Sequence, residues 1–216
     1  MQELQRRFCT RKIDQLILNA GVWPSEYAVS KQGHEIAFAT NTLGPHLLLR
    51  GLIQQDVLKA DARVISLTGD IYLSIYGSQN EGCTADFKYG TPAGHDGEVA
   101  YCRSKLGMMW LFAAMHQRNP ALQMYLVHPG VMDNTLSGPN PLPKFLLTTN
   151  VQGAQTTLVC ATADRKLLDN GAYYHNTLGK LVLPNRDPAQ NSVKGSVFFT
   201  LSESLVAPYL ASIAGK

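Results

Sequence analysis

The apolar runs of this chain come in an order that leaves few folds open. Residues 14–21, Asp-Gln-Leu-Ile-Leu-Asn-Ala-Gly, form a short apolar run closed by Asn19-Ala20-Gly21, the pattern of a strand that ends in a tight turn. Residues 62–68 (Ala-Arg-Val-Ile-Ser-Leu-Thr) form a second such run, and residues 124–130 (Met-Tyr-Leu-Val-His-Pro-Gly) a third, again closed by a Pro-Gly turn. A helical pattern from about residue 31 to 57 separates the first two, and another over residues 97–117 separates the second from the third. The order is therefore strand, helix, strand, helix, strand, and 216 residues suffice for one α/β domain with a sizeable core.

The second helical pattern carries the chemistry. Residues 97–117 contain no proline and place Val99, Leu106, Met109, Trp110, Phe112 and Ala113 at near-helical spacing. On such a helix Tyr101 and Lys105 stand one turn apart, with Cβ atoms about 5–6 Å from each other. A neighbouring ammonium favours the phenolate, so the pair predicts a tyrosine with a lowered pKa, usable as a general acid/base near neutral pH. Met108, Met109 and Trp110 read as core positions, and His128 as a packed histidine at a strand end.

With these elements in this order, the chain resembles the short-chain dehydrogenase/reductase family over nearly its whole length. Asn19-Ala20-Gly21 is similar to the family's N-A-G turn, Tyr101 and Lys105 to its Y-x-x-x-K pair, Asn41 to its catalytic asparagine, and His128-Pro129-Gly130 to the turn that meets the nicotinamide. Tyr-Cys-Arg-Ser-Lys, Val-His-Pro-Gly, the segment 152–157 and the segment 171–176 resemble retinol-dehydrogenase-like and steroid-dehydrogenase-like members. The resemblance implies one domain over residues 1–216, a partial Rossmann-type doubly wound parallel sheet, with substrate-side loops at 72–97 and 132–147. It implies Tyr101, Lys105 and Asn41 as catalytic residues, with Asn41 supporting a water-borne proton relay to the lysine at a helix break near Pro45. It implies Asn19, Ala20, Gly21, Tyr101, Lys105, Pro129, Gly130 and Val131 as contacts of an NADP or NAD cofactor, with Asn134 or Thr135 following that turn. The implied substrate is an alcohol/carbonyl pair of retinoid or steroid-like kind, and the implied assembly a homodimer through the Asn41 and Tyr101 helices.

Two parts of the family pattern are missing. No G-x-x-x-G-x-G turn occurs in the 216 residues, and the N-A-G turn already stands at residue 19. The first three strands of the family sheet are then absent, cofactor binding is weakened or lost, and the strand at residues 14–18 becomes an open, aggregation-prone edge. The family's catalytic serine, whose hydroxyl donates to the substrate oxygen, falls on Gly69, or on Asp70 if the register slides by one. An ionised aspartate accepts hydrogen bonds and cannot donate one. Thr68 and Ser74 are the alternative hydroxyls. A catalytically inactive relative acting as a binding or regulatory partner is thus the second expectation.

Composition narrows the remaining classes. A net charge of +3, with the basic residues scattered, gives no stripe for nucleic acid. Cys9, Cys83, Cys102 and Cys160 show no C-x-x-C spacing, so neither a zinc site nor a disulfide framework is expected. The apolar stretches read as too short to span a bilayer and Met1 opens no signal peptide, so the expectation is a cytoplasmic protein, lacking the N-terminal membrane anchor that retinol-dehydrogenase-like proteins often carry. Residues 196–213 read as a C-terminal helix with Val197, Phe198, Leu201, Leu205 and Leu210 for packing.

Overall fold

The computed structural model describes residues 11–75, 92–133, 136 and 142–214. Its centre is a five-stranded sheet in the order β1 (Ile13–Leu18), β2 (Leu58–Leu67), β3 (Gln123–His128), β4 (Tyr173–His175) and β5 (Gly179–Leu181). The first four strands run parallel, and β5 returns antiparallel on β4. Four longer helices flank the sheet: α1 (Gly44–Gln54), α2 (Gly97–Arg118), α3 (Asn150–Thr162) and α4 (Ser192–Ala214). This is the α/β architecture expected from the order of apolar runs.

Side chains alternate across β3, and each set meets its own layer. Met124 and Leu126 face the main core with Leu106, Trp110 and Phe198, whereas Tyr125 and Val127 pack with Ile65, Cys160 and Ala161 of the α3 layer. Helices therefore cover both faces. Gly107 lets α2 and α4 approach closely, because a Cβ there would stand 2.5 Å from Phe198 Cζ. Arg63, a buried side chain the sequence did not mark, donates to the Cys160 carbonyl at 2.9 Å and the Ala163 carbonyl at 2.5 Å. It satisfies carbonyls that the last turn of α3 leaves without intrahelical partners.

Several boundaries differ from expectation. The first helical region begins at Ile36, where Glu35 accepts from the Ala37 and Phe38 N–H groups, and not near Lys31. Pro45 does not break it. The interruption is a π-helical turn at Ala39–Leu43, just before the proline, which sits harmlessly in the first turn of α1. Tyr72, expected to open a substrate-side loop, is fully buried and donates to both oxygens of Asp187 at 3.0 and 3.1 Å. Burial first, then the Asp187 and Asp70 charges, hold its phenol protonated well above the usual range. Most of the expected 72–97 loop, and residues 134, 135 and 137–141 of the expected 132–147 loop (Asn134 and Thr135 among them), lie outside the described residues. Helix α3 is capped instead by Thr149 and Gln152 in a reciprocal capping box.

Among the described residues β1 pairs only with β2, so its other side is an edge, with Ile17 44% exposed. Helix α4 lies across α1 and α2. Arg50 binds Glu203 in a two-pronged pair, Nε to Oε1 and Nη2 to Oε2, each at 2.9 Å, and His46 meets the same carboxylate at 2.7 Å. By length and composition the Ser192–Ile213 stretch could cross a membrane, with a mean hydropathy of 1.3, contrary to the sequence expectation. Its Phe198, Val206 and Leu210 belong to the protein core.

Candidate active site

The site forms where β1, β2 and β3 end, against the first turns of α2. Asp96 caps α2 by accepting from the Glu98 and Val99 N–H groups, which sets the register of the helix. Tyr101, Ser104 and Lys105 then face the strand ends, all three buried. Thr68, just past β2, donates to the Lys105 carbonyl at 3.3 Å, and its own N–H is taken by Val127. The helix and the two central strands are thus tied together at the site.

Asn41 is the organising side chain. It sits in the π-helical turn, 3% exposed. Its Oδ1 accepts from Val22 N–H at 2.8 Å, and its Nδ2 donates to the Val22 carbonyl at 2.9 Å and to Ser104 Oγ at 2.8 Å. Ser104 passes the link on to the Tyr101 carbonyl at 2.6 Å. The asparagine therefore fixes the main chain beyond the Asn19-Ala20-Gly21 turn and ties it to the Tyr101 helix. At Gly21 a Cβ would come 3.3 Å from Asn41 Oδ1, a tight contact, and 3.7 Å from Lys105 Nζ, an ordinary one.

Tyr101 and Lys105 are brought together, but not in the relation expected. Lys105 Nζ lies 5.3 Å from the centroid of the Tyr101 ring, over its face, and donates at 3.3 Å to the Leu67 carbonyl. Burial, with a smaller contribution from Cys102, pushes the Tyr101 phenol up to about 12. Burial alone brings the Lys105 ammonium down to about 8. The lowered phenol pKa expected from the pair is thus corrected. Desolvation dominates because the ammonium stands over the ring face and not beside the hydroxyl oxygen. No described residue hydrogen-bonds the Tyr101 hydroxyl, which stays outside the set of buried, unpartnered atoms.

Neither residue expected at the serine position carries a hydroxyl. At Gly69 a Cβ would be 3.4 Å from His128 Nδ1, an ordinary contact. Asp70 is committed elsewhere: it accepts from the Tyr173 hydroxyl and lies 3.2 Å from His175 Nε2. Ser74 turns away to Glu98 at 3.1 Å. His128 is buried against His175, ring centroids 4.5 Å apart, and desolvation lowers its pKa to about 4. Asp70, His128 and His175 offer ligand atoms within 4.8 Å of one another, a grouping the sequence did not suggest. His175 Nδ1, however, accepts from Thr177 and Leu178 N–H, so the proton of the neutral ring sits on Nε2 and points at Asp70. A donor, not a lone pair, faces the gap. Beside this cluster, a cleft of about 560 Å³ is lined by Asp70, Tyr72, Leu181, Leu183, Arg186 and Asp187.

The residues expected to meet a nicotinamide lie together around the strand ends. Asn19 and Ala20 are exposed, Gly21 keeps space open above Lys105, and Val131 is 46% exposed. Gly130 adopts a positive φ of 92°, and a Cβ there would be 2.5 Å from Thr148 Oγ1. Nothing in the described residues offers the glycine-rich cradle a pyrophosphate requires.

The sequence did not mark Trp23. Its indole stacks on the Tyr101 ring, centroids 4.3 Å apart and planes 11° from parallel. The one hint was an aromatic residue just beyond the N-A-G turn.

A mainly parallel sheet with helices on both faces, and a tyrosine, lysine and asparagine gathered at its carboxyl ends, define a Rossmann-type α/β chain. Comparison with known proteins places it more closely. Mouse (Mus musculus) retinol dehydrogenase 12 is 30% identical over 181 residues, covering 76% of this chain and 52% of that protein. The WW domain-containing oxidoreductase of Pongo abelii is 30% identical over 214 residues, covering 93% of this chain and 50% of that protein. Among solved structures, an uncharacterized protein from Mycobacterium paratuberculosis matches at TM-score 0.68 and 23% identity, over 95% of this chain and 72% of that one. The NADPH-bound carbonyl reductase from chicken fatty liver matches at TM-score 0.57 and 18% identity, over 84% of this chain and 70% of that one. No family model matches the chain. The chain belongs to the short-chain dehydrogenase/reductase family and is retinol-dehydrogenase-like within it. It spans about half the length of the curated relatives it matches.

Proposed function

We propose that this chain carries the proton-transfer half of a nicotinamide-dependent alcohol/carbonyl oxidoreductase, working in the direction of carbonyl reduction. The observation that carries the reading is the buried Tyr101, Lys105 and Asn41 constellation, with a Tyr101 hydroxyl that no described residue binds. Asn19, Ala20, Gly21, Pro129, Gly130 and Val131 would hold the nicotinamide end of an NADP or NAD cofactor, in concert with Tyr101 and Lys105. A nicotinamide bound there supplies the hydride to the carbonyl carbon. Tyr101 gives its proton to the carbonyl oxygen as charge develops on it. A phenol near 12 is fully protonated at neutral pH, which suits donation more than abstraction. Lys105, charged below about 8, steadies the phenolate left behind. Asn41 keeps the Val22 main chain and the Tyr101 helix in register. NADP- or NADPH-bound relatives of the same fold support NADP over NAD, and the retinol dehydrogenases among the relatives support an apolar substrate such as a retinoid or steroid-like compound. A homodimer would have to form beside α4, which already lies across α1 and α2.

The second reading, an inactive relative that binds a partner, is favoured by one observation. Gly69 brings no hydroxyl to the site, and Asp70 is tied to Tyr173 and His175. Nicotinamide fluorescence separates the two. Saturable enhancement on titration with NADPH, followed by turnover that Tyr101→Phe abolishes without loss of binding, is the expected outcome for the enzyme. No binding of NADPH or NADH up to millimolar concentration overturns the enzymatic reading for this chain and leaves the second.

A further inference from the structure

The Tyr101 ring has a partner that the proposed chemistry does not use. Trp23 stacks on it with centroids 4.3 Å apart and planes 11° from parallel, so the indole covers one face of the phenol ring. The cover is fixed from both sides. Val22, the residue before it, has its N–H and its carbonyl bound by the Asn41 amide at 2.8 and 2.9 Å. Pro24, the residue after it, packs its carbonyl into the space left by Gly97, where a Cβ would stand 1.8 Å from the oxygen. Among the described residues, the titratable groups facing the ring are Lys105, 5.3 Å from its centroid, and Cys102, both on α2. The segment 21–24 (Gly-Val-Trp-Pro) brings no charge, and Asn41 is neutral.

The effect of such a cover follows from where a phenolate keeps its charge. The charge spreads from the oxygen into the ring, so water over the ring faces solvates it as well as water at the oxygen. An indole in place of that water withdraws solvation from the charged form and not from the neutral one. It also turns its own electron-rich face toward the charge. Both effects favour the neutral phenol. Lys105 acts the other way, but Tyr101 is only 8% exposed, and burial prevails in holding its phenol near 12.

We propose that Trp23 is a positioning residue for Tyr101, its indole sealing one face of the ring so that the hydroxyl keeps its proton until a carbonyl oxygen takes it. The inference rests on the proposed function only in taking Tyr101 as the proton donor.

The test is a pH titration of the full chain, without cofactor, labelled at the tyrosine Cζ with carbon-13, whose NMR line moves as the hydroxyl ionises. Of the nine tyrosine lines, that of Tyr101 is the one Tyr101→Phe removes. Tyr72 and Tyr173 are held protonated far above the ordinary range by burial and by the Asp187 and Asp70 carboxylates, so their lines stay still while the fold is intact. At about pH 10.5 the ionised fraction of Tyr101 should be a few per cent in the wild type and about tenfold larger in Trp23→Ala, one pH unit out of the several that full burial imposes. Trp23→Phe, which keeps an aromatic face on the ring, should stay within about threefold of the wild type. Should Trp23→Ala not fold, Trp23→Leu takes its place; it covers less of the ring with no π face and should raise the ionised fraction by about fivefold. A wild-type Tyr101 line already half-shifted near the ordinary value of about 10 overturns the inference. So do equal ionised fractions in the wild type and the Ala or Leu variant, or a Phe variant that ionises as readily as they do. Failure to bind NADPH with these fractions as stated counts against the enzymatic reading alone.

Discussion

Replacing Lys105 by methionine should stabilise this protein at neutral pH, although Lys105 stands at the centre of the proposed chemistry. The ammonium is 6% exposed, and burial lowers its pKa from the ordinary 10.5 to about 8. At about 1.4 kcal/mol per pH unit, that fall is worth about 3 kcal/mol against the folded state whenever both states are protonated. Methionine has a similar shape and no charge to desolvate. Its cost is the hydrogen bond to the Leu67 carbonyl, about 1 kcal/mol, leaving a net gain of about 2 kcal/mol at pH 7. The pH dependence identifies the cause. The folded pKa lies below the unfolded one, so between about 8 and 10.5 the unfolded chain binds more protons and wild-type stability rises with pH. Over pH 7 to 9.5 the Lys105 contribution amounts to about 2 kcal/mol, and it should vanish in Lys105→Met. Urea denaturation of both proteins at pH 7, 8 and 9.5 measures it, with the difference between the two removing every other titrating group. The window stops short of pH 10, above which ionisation of Tyr101 begins to oppose folding in both proteins. A difference that stays constant across this range, or a variant less stable at pH 7, would refute the claim that desolvation governs this lysine.

Asn41→Ala leaves Val22 N–H, the Val22 carbonyl and Ser104 without their partner in a buried setting, and should cost about 3 kcal/mol in urea denaturation, with a change in Trp23 fluorescence as the stack loosens. Gly107→Ala drives a Cβ to 2.5 Å from Phe198 and should lower stability by about 1–3 kcal/mol, read as a fall in thermal midpoint. Burial opposes ionisation of Glu203, but hydrogen bonds from His46 and Arg50 win and hold its pKa at about 2. Its stabilising contribution is present above about 4.5 and is lost as pH falls toward 2, so Glu203→Gln should flatten acid unfolding in that window. Gly69→Ser places a hydroxyl where a Cβ meets only an ordinary contact with His128; it should fold normally and, if the enzymatic reading holds, raise NADPH-dependent turnover by tenfold or more, on the scale of about 10²–10³ seen for one oxyanion donor.

The order of elements was legible because each apolar run carries its own punctuation. Asn19-Ala20-Gly21 and Pro129-Gly130 end β1 and β3, and the unbroken pattern after Asp96 predicts α2 almost to the residue. The first helix was less so. A π-helical turn has no composition of its own, and the pattern from Lys31 onward hid both it and the true start at Glu35. The departure at the serine position was legible too, since it depends only on which residue follows β2.

By itself, then, the sequence determined which groups this chain brings to its site: a tyrosine and a lysine one helical turn apart, an asparagine, and a glycine in place of a hydroxyl. Only the tertiary structure decided what those groups are worth. Spacing along a helix sets how near Lys105 is to Tyr101, but their protonation depends on how much water the surrounding strands and helices exclude, and that exclusion raised the phenol where the pair alone predicted a fall. Trp23 and Arg63 likewise find their partners across 78 and 97–100 positions of sequence, distances over which no local pattern carries information.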